Sequence, residues 1–225
     1  MLIEFDQVVV IVEGRPLLQV PGLTLSERRI GIVGPNGAGK STFARLLNGL
    51  LLPQQGQVRV NGLDTRREAR RIRRQVGFVF QNPDNQIVFP IVREDLDFGL
   101  KPLDMPAAER AERIAVVLAQ PGIAHLAERS SFSLSGGERQ LVALAAVLVR
   151  EPGLIVFDEP TTQLDLRNRN RVSEAIAALA PSACVITHDL DLLADFDRVL
   201  VINEGCIVVD DHPAAALRWY REHCA

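Results

Sequence analysis

The chain has 225 residues, 47 % of them hydrophobic and 24 % charged, which is ordinary for a globular protein and enough to bury a sizeable core. Its formal net charge of −3 gives no overall basic footprint for nucleic acid, and no apolar run approaches the roughly 20 residues needed to cross a bilayer. Cys184, Cys206 and Cys224 are scattered, with no CxxC pair and no metal spacing, which fits reduced thiols in a cytoplasm. Met1 to Asp6 has neither the basic start nor the apolar stretch of a signal peptide, so any membrane contact is expected to come through a partner.

In chain order, Leu2 to Val12 is β-rich and Gly14-Arg15-Pro16 marks a turn. Arg29 to Val33 reads as a short apolar strand feeding a glycine-rich loop, and Thr42 to Leu50 has helical spacing after it. Val58 to Gly62 alternates and then turns. Arg66 to Arg74 is strongly basic; a solvated face is the expected reading, with anionic headgroups as the alternative. Val76 to Phe80 is a buried strand ending at Gln81, and the pattern is helical from about Pro83 to Arg150, divided at Pro102, Pro106 and Pro121-Gly122. Apolar strands return at Leu154 to Phe157, Cys184 to Thr187 and Val199 to Ile202, with Asn168 to Leu179 helical between the first two. Strands alternating with helices predict an α/β fold with a mostly parallel sheet and one helical insertion.

Five local patterns carry chemistry. Gly34-Pro35-Asn36-Gly37-Ala38-Gly39-Lys40-Ser41-Thr42 contains G-x-x-x-x-G-K-S between a strand and a helix. Glycines there let backbone N–H groups approach phosphate oxygens, and the helix start adds partial positive charge. Lys40 can reach the β- and γ-phosphates and Ser41 can ligate Mg²⁺. Asp158 ends an apolar strand, where it can hold Mg²⁺ or its water, while adjacent Glu159 can polarise an attacking water. His188 closes another strand, and Gln81 leads into the helical insertion. Ser135-Gly136-Gly137-Glu138 has the form of a capping box.

Leu134-Ser135-Gly136-Gly137-Glu138-Arg139-Gln140, placed between the phosphate loop and Leu154 to Glu159, resembles the signature of the ATP-binding cassette (ABC) ATPases. The resemblance covers nearly the whole chain. It implies a P-loop NTPase cassette with a RecA-like core and an antiparallel β subdomain (residues 1–82 and 151–225) and a helical subdomain (83–150). It implies ATP and Mg²⁺ as ligands, Glu159 as catalytic base, His188 as γ-phosphate switch, and Gln81, Ser41 and Asp158 around the metal. Thr42 helps with the α-phosphate by the same resemblance. Leu134, Ser135, Gly136, Gly137, Glu138 and Gln140 would close over ATP held by a second subunit, with Leu164 and Asp165 as D-loop; Gln163 is bulkier than the residue usual there. Family members often stack adenine on an aromatic residue near the position of Val12, and this segment has none after Phe5.

Single motifs and no long heptads argue against translation-factor and chromosome or repair ATPases, and the signature argues against a P-loop kinase. Gln81 to Val88, followed by Glu94-Asp95-Leu96-Asp97-Phe98-Gly99, looks like the Q-loop region of energy-coupling factor (ECF) ATPases. That implies a homodimer or heterodimer of ATPase subunits on the cytoplasmic face of the membrane, with a transmembrane T-type coupling subunit, an S-type substrate-binding subunit and no nucleic acid. Glu94, Asp95 and Asp97 could meet arginines of the T subunit, or form a solvated acidic helix end. A short cassette suits a dedicated system for biotin, cobalt or nickel, with biotin favoured. The alternative is the ATPase of another importer or of a lipid, lipoprotein or cell-division complex.

Overall fold

The structure is a computed structural model that describes residues 1–224. Its strands are β1 (Ile3–Val12), β2 (Arg15–Leu25), β3 (Arg29–Val33), β4 (Gln55–Val60), β5 (Leu63–Asp64), β6 (Val76–Val79), β7 (Leu154–Asp158), β8 (Ser182–Ile186), β9 (Arg198–Asn203) and β10 (Cys206–Asp211). The helices are α1 (Lys40–Leu46), α2 (Thr65–Gln75), α3 (Val92–Leu100), α4 (Ala107–Ala119), α5 (Gly136–Leu148), α6 (Leu166–Ala177) and α7 (Pro213–His223). The strands form one mixed sheet in the order β5-β4-β1-β2-β10-β9-β3-β8-β7-β6.

Two compact units divide the described residues: 1–78, 153–159 and 181–224 form the first, and 79–152 with 160–180 the second. The first unit holds the sheet. Its centre, β3 flanked by β8 and β9, with β7 beyond β8, is parallel, and every residue of β3 and β7 is buried. Burial on both faces explains why these strands are continuous apolar runs rather than alternating ones. At the other end β1 pairs antiparallel with β2 and β4, and β4 with β5. Phe5 of β1 stacks on Phe43 of α1 with ring centroids 4.9 Å apart.

Strand β2 differs from the sequence reading, which stopped at a turn. The turn closes at Gly14, and Arg15 and Pro16 already pair with Val12 and Ile11. Pro16 and Pro21 survive in this strand because its other edge meets β10 through a single pair, Gln19 with Cys206, so few ladder donors are demanded there.

The second unit is helical. Helix α6 packs on α5 within it, although the sequence reading placed residues 151–225 with the core. The α5 start is the expected capping box: Ser135 Oγ accepts from Glu138 N at 3.3 Å, and Ser135 N donates to Glu138 Oε2 at 2.8 Å.

Candidate functional site

The loop between β3 and α1 wraps the Lys40 ammonium. Lys40 is 7 % exposed, and its Nζ donates to the carbonyls of Gly34 at 2.8 Å and Pro35 at 3.0 Å. Gly34 must be glycine, since a Cβ there would fall on the Ile202 carbonyl oxygen. Gly39 precedes the helix with φ 101°, in the left-handed region that glycine enters without penalty. Burial lowers the Lys40 pKa from its usual value, and the charges of Glu159 and Asp158 oppose that shift. Asn36 and Gly37 face solvent, Ala38 is buried, and Ser41 and Thr42 are half-buried at the helix start.

Strand β7 delivers the carboxylates. Ser41 Oγ donates to Asp158 Oδ1 at 2.9 Å, joining α1 to the end of β7. Glu159, also buried, has φ 54°, in the left-handed region. A non-glycine residue held there stores strain, a feature that concentrates at functional sites. Its backbone N–H still donates to Ile186 of β8 at 2.9 Å. His188, just past β8, clasps the Glu159 carboxylate: its N–H lies 3.3 Å from Oε2 and its Nε2 lies 3.2 Å from Oε1. The same Nε2 is 3.0 Å from Asn36 Oδ1 and 3.4 Å from Lys40 Nζ. Lys40, Ser41, Asp158, Glu159 and His188, read separately along the sequence, therefore meet at one edge of the first unit.

The remaining site residues lie in the second unit. Gln81 is exposed, two positions past the end of β6. In the signature segment Ser135 and Gly136 face solvent, whereas Leu134, Gly137 and Gln140 are buried. Gln140 Nε2 has no hydrogen-bond partner among the described residues, a buried polar group that calls for a reason. Hydrogen bonds from Ser135 lower the Glu138 pKa from its usual value. Asp165 caps α6, its Oδ1 accepting from Asn168 N at 2.8 Å and its Oδ2 from Asn168 Nδ2 at 2.9 Å. Leu164 lies against Gly136, and Gln163 sits at φ 66°.

Sequence reasoning passed over Arg139. Its Nη1 binds Asp84 at 3.0 Å, and its Nε and Nη2 donate to the Leu134 carbonyl at 3.1 and 3.0 Å. Gln86 adds a second link, donating from Nε2 to Ala143 O at 2.6 Å. The loop that follows Gln81 is thus stapled to α5. Reciprocal charge between Asp84 and Arg139 was visible, but their separation of 55 positions hid the pairing.

The acidic stretch is mostly occupied. Asp95 is buried and Oδ1 accepts from Val88 N at 2.8 Å and Phe89 N at 2.9 Å. Asp97 pairs with Arg110 at 2.7 Å. Glu94 alone of the three is exposed, so the expectation of three carboxylates on a docking surface is corrected to one. Exposed Val88 and Phe98 lie on the same segment, Phe98 in ring contact with Phe89.

A buried ammonium beneath a glycine-lined backbone cradle suits a polyphosphate, and the paired carboxylates behind it suit hydrolysis. That combination defines a P-loop nucleoside triphosphatase. The chain belongs to the ABC transporter family, whose model matches residues 22–162. It is an ATP-binding cassette, an ATPase coupled to transport. The biotin transport ATP-binding protein BioM of Rhizobium etli is 48 % identical over 100 % of both chains. The energy-coupling factor transporter ATP-binding protein EcfA1 of Halalkalibacterium halodurans is 44 % identical over 82 % of this chain and 68 % of its own. Among solved structures, cbiO1 of Clostridium perfringens, part of the ABC transporter complex cbiONQ, superposes with a TM-score of 0.86 at 27 % identity, covering 99 % of this chain and 95 % of that one.

Proposed function

We propose that the chain is the ATP-hydrolysing subunit of an ECF-type importer, with biotin as the favoured cargo, working as a dimer of ATPase subunits on the cytoplasmic face of the membrane with T-type and S-type subunits. Full-length similarity to the BioM protein supports biotin; the EcfA1 relative and the cbiO1 fold support the ECF type. The observation that carries the catalytic reading is the strained, buried Glu159 held by His188 beside Lys40.

In this reading Lys40 and the N–H groups of residues 34–42 bind the β- and γ-phosphates. No three His, Cys, Asp or Glu side chains among the described residues could hold a metal unaided. Ser41 and Asp158 nonetheless supply two adjacent oxygens, which fits Mg²⁺, an ion that takes few protein ligands and completes its shell with water and phosphate. Bound there, Mg²⁺ would neutralise developing phosphate charge. Glu159 orients a water and takes its proton as the water oxygen bonds the γ-phosphorus and the bond to the bridging oxygen breaks, giving ADP and phosphate. His188 keeps the Glu159 carboxylate aimed, and Gln81 reports the metal and water to the helical unit. Ser135, Gly136, Gly137 and Glu138 meet the partner subunit's nucleotide, with Leu134 and Gln140 supporting them from inside and Leu164 and Asp165 at the adjoining edge. Glu94, Val88 and Phe98 are the docking surface for the T subunit.

Glu159→Gln tests the catalytic assignment. The variant should keep ATP affinity, lose about 10²–10⁴-fold in turnover and dimerise more persistently with ATP. Hydrolysis at the wild-type rate would reject Glu159 as base. Biotin uptake by cells carrying this subunit with its membrane partners tests the cargo, and uptake of cobalt or nickel instead would replace it.

A further inference from the structure

Helix α2 exposes six arginines, Arg66, Arg67, Arg70, Arg71, Arg73 and Arg74, on a chain whose net charge is −3. Thr65 and Ile72 are buried on its other face. Three of the arginines are tied down: Arg66 to the Pro53 carbonyl, Arg71 to Glu68, and Arg73 to the Gly49 carbonyl at 3.2 Å. These bonds lay residues 49–53 along the helix. The packing is close, because a Cβ on Gly49 would stand 3.3 Å from that of Ala69. The same loop exposes Leu50 at 45 % and Leu52 at 39 %. Arg67, Arg70 and Arg74 reach no carboxylate at ion-pair distance among the described residues.

We propose that this patch seats directly on an anionic phospholipid surface, with guanidinium groups on headgroup phosphates and Leu50 and Leu52 entering the interface. Guanidinium binds phosphate oxygens in a two-point fork, and a basic face bordered by apolar side chains is the pattern of interfacial adsorption. Nucleic acid or an acidic protein would satisfy the arginines but leave the two leucines without a role. The family acts beside a membrane, which brings such a surface within reach. This goes beyond the transport reading, in which a partner subunit alone holds the ATPase at the bilayer.

The test is co-sedimentation of the full chain with vesicles of equal parts phosphatidylcholine and phosphatidylglycerol, against vesicles of phosphatidylcholine alone. Binding is expected only to the anionic vesicles, weakening with salt as the screening length falls from about 10 Å at 0.1 M to about 3 Å at 1 M. Arg67→Glu/Arg70→Glu/Arg74→Glu should lower partition about a hundredfold, at roughly fivefold for each arginine removed from the surface. That variant should hydrolyse ATP in solution like wild type, which also shows it folded; the Arg→Gln version is the milder check. Leu50→Ser/Leu52→Ser should reduce the binding that survives high salt. The proposal is overturned if wild type ignores anionic vesicles, if the triple variant binds them equally well, or if polyglutamate or duplex DNA binds the patch in their place. Loss of ATPase in Glu159→Gln leaves this result untouched, so the two readings fail separately.

Discussion

Replacing Gly137 by alanine should force α5 and α6 apart. A Cβ at Gly137 would stand 2.6 Å from the Asn168 Cβ and closer still to its Cγ and Oδ1. The amide can rotate away, but the Cβ is fixed by the α6 backbone, so the helices must shift. Overpacking of this kind costs about 1–3 kcal/mol. Turning the amide also breaks the 2.9 Å bond from Asn168 Nδ2 to Asp165 Oδ2, a loss of roughly 1 kcal/mol more. Gly137→Ala is therefore expected to lower the unfolding free energy by about 2–4 kcal/mol in urea titrations followed by circular dichroism. Asn168→Gly removes the obstructing Cβ while introducing a helical glycine that costs about 1 kcal/mol. In the double variant the clash is gone, so its cost should fall short of the sum of the singles by about 1 kcal/mol or more. Strict additivity, or a Gly137→Ala protein as stable as wild type, would refute close packing as the reason for glycine here.

The other outcomes follow from single contacts. Val12 is about half exposed at the end of β1, and Val12→Tyr should tighten ATP binding by about 0.5–1.5 kcal/mol if adenine lacks a stacking platform; calorimetry showing no change or weaker binding would place the base elsewhere. Asp95→Ala orphans two backbone N–H groups and should cost about 1–3 kcal/mol in denaturant, whereas Glu94→Ala, at an exposed position, should stay within about 0.5 kcal/mol. Burial pushes the Cys184 thiol up to about 12, so native protein at mildly alkaline pH should alkylate at exposed Cys206 and not at Cys184. The folded value lies above the unfolded one of about 8.5, so the Cys184 contribution is complete below that pH and is lost as pH climbs toward the folded value. The wild-type denaturant midpoint should therefore run parallel to that of Cys184→Ala below that pH and fall more steeply with pH above it.

Residues that act through neighbours in sequence were legible before the fold. Gly34 to Thr42, Asp158-Glu159 and His188 each sit at a strand end that an apolar run announces, and the Ser135–Glu138 box spans a single helical turn. What escaped was settled at a distance. Strand β2 hid behind Pro16 and Pro21, tolerable only because β10 touches it once. Asp95 and Asp97 read as free carboxylates because nothing in a helix-end composition tells that one closes the 88–89 loop and the other holds Arg110. Helix α6 follows β7 in the chain and gave no local sign that its partner would be α5.

Stapling the loop after Gln81 to α5, through Asp84–Arg139 and Gln86–Ala143, makes these segments one lever rather than two. On the transport reading proposed above, a push at Val88 would reach α5 through these two bonds. In a dimer whose signature segments face the neighbour's nucleotide, the effect would be felt across the interface, at the site the pushed subunit does not itself hold. On that reading, a membrane contact on one subunit would act on the ATP held by the other.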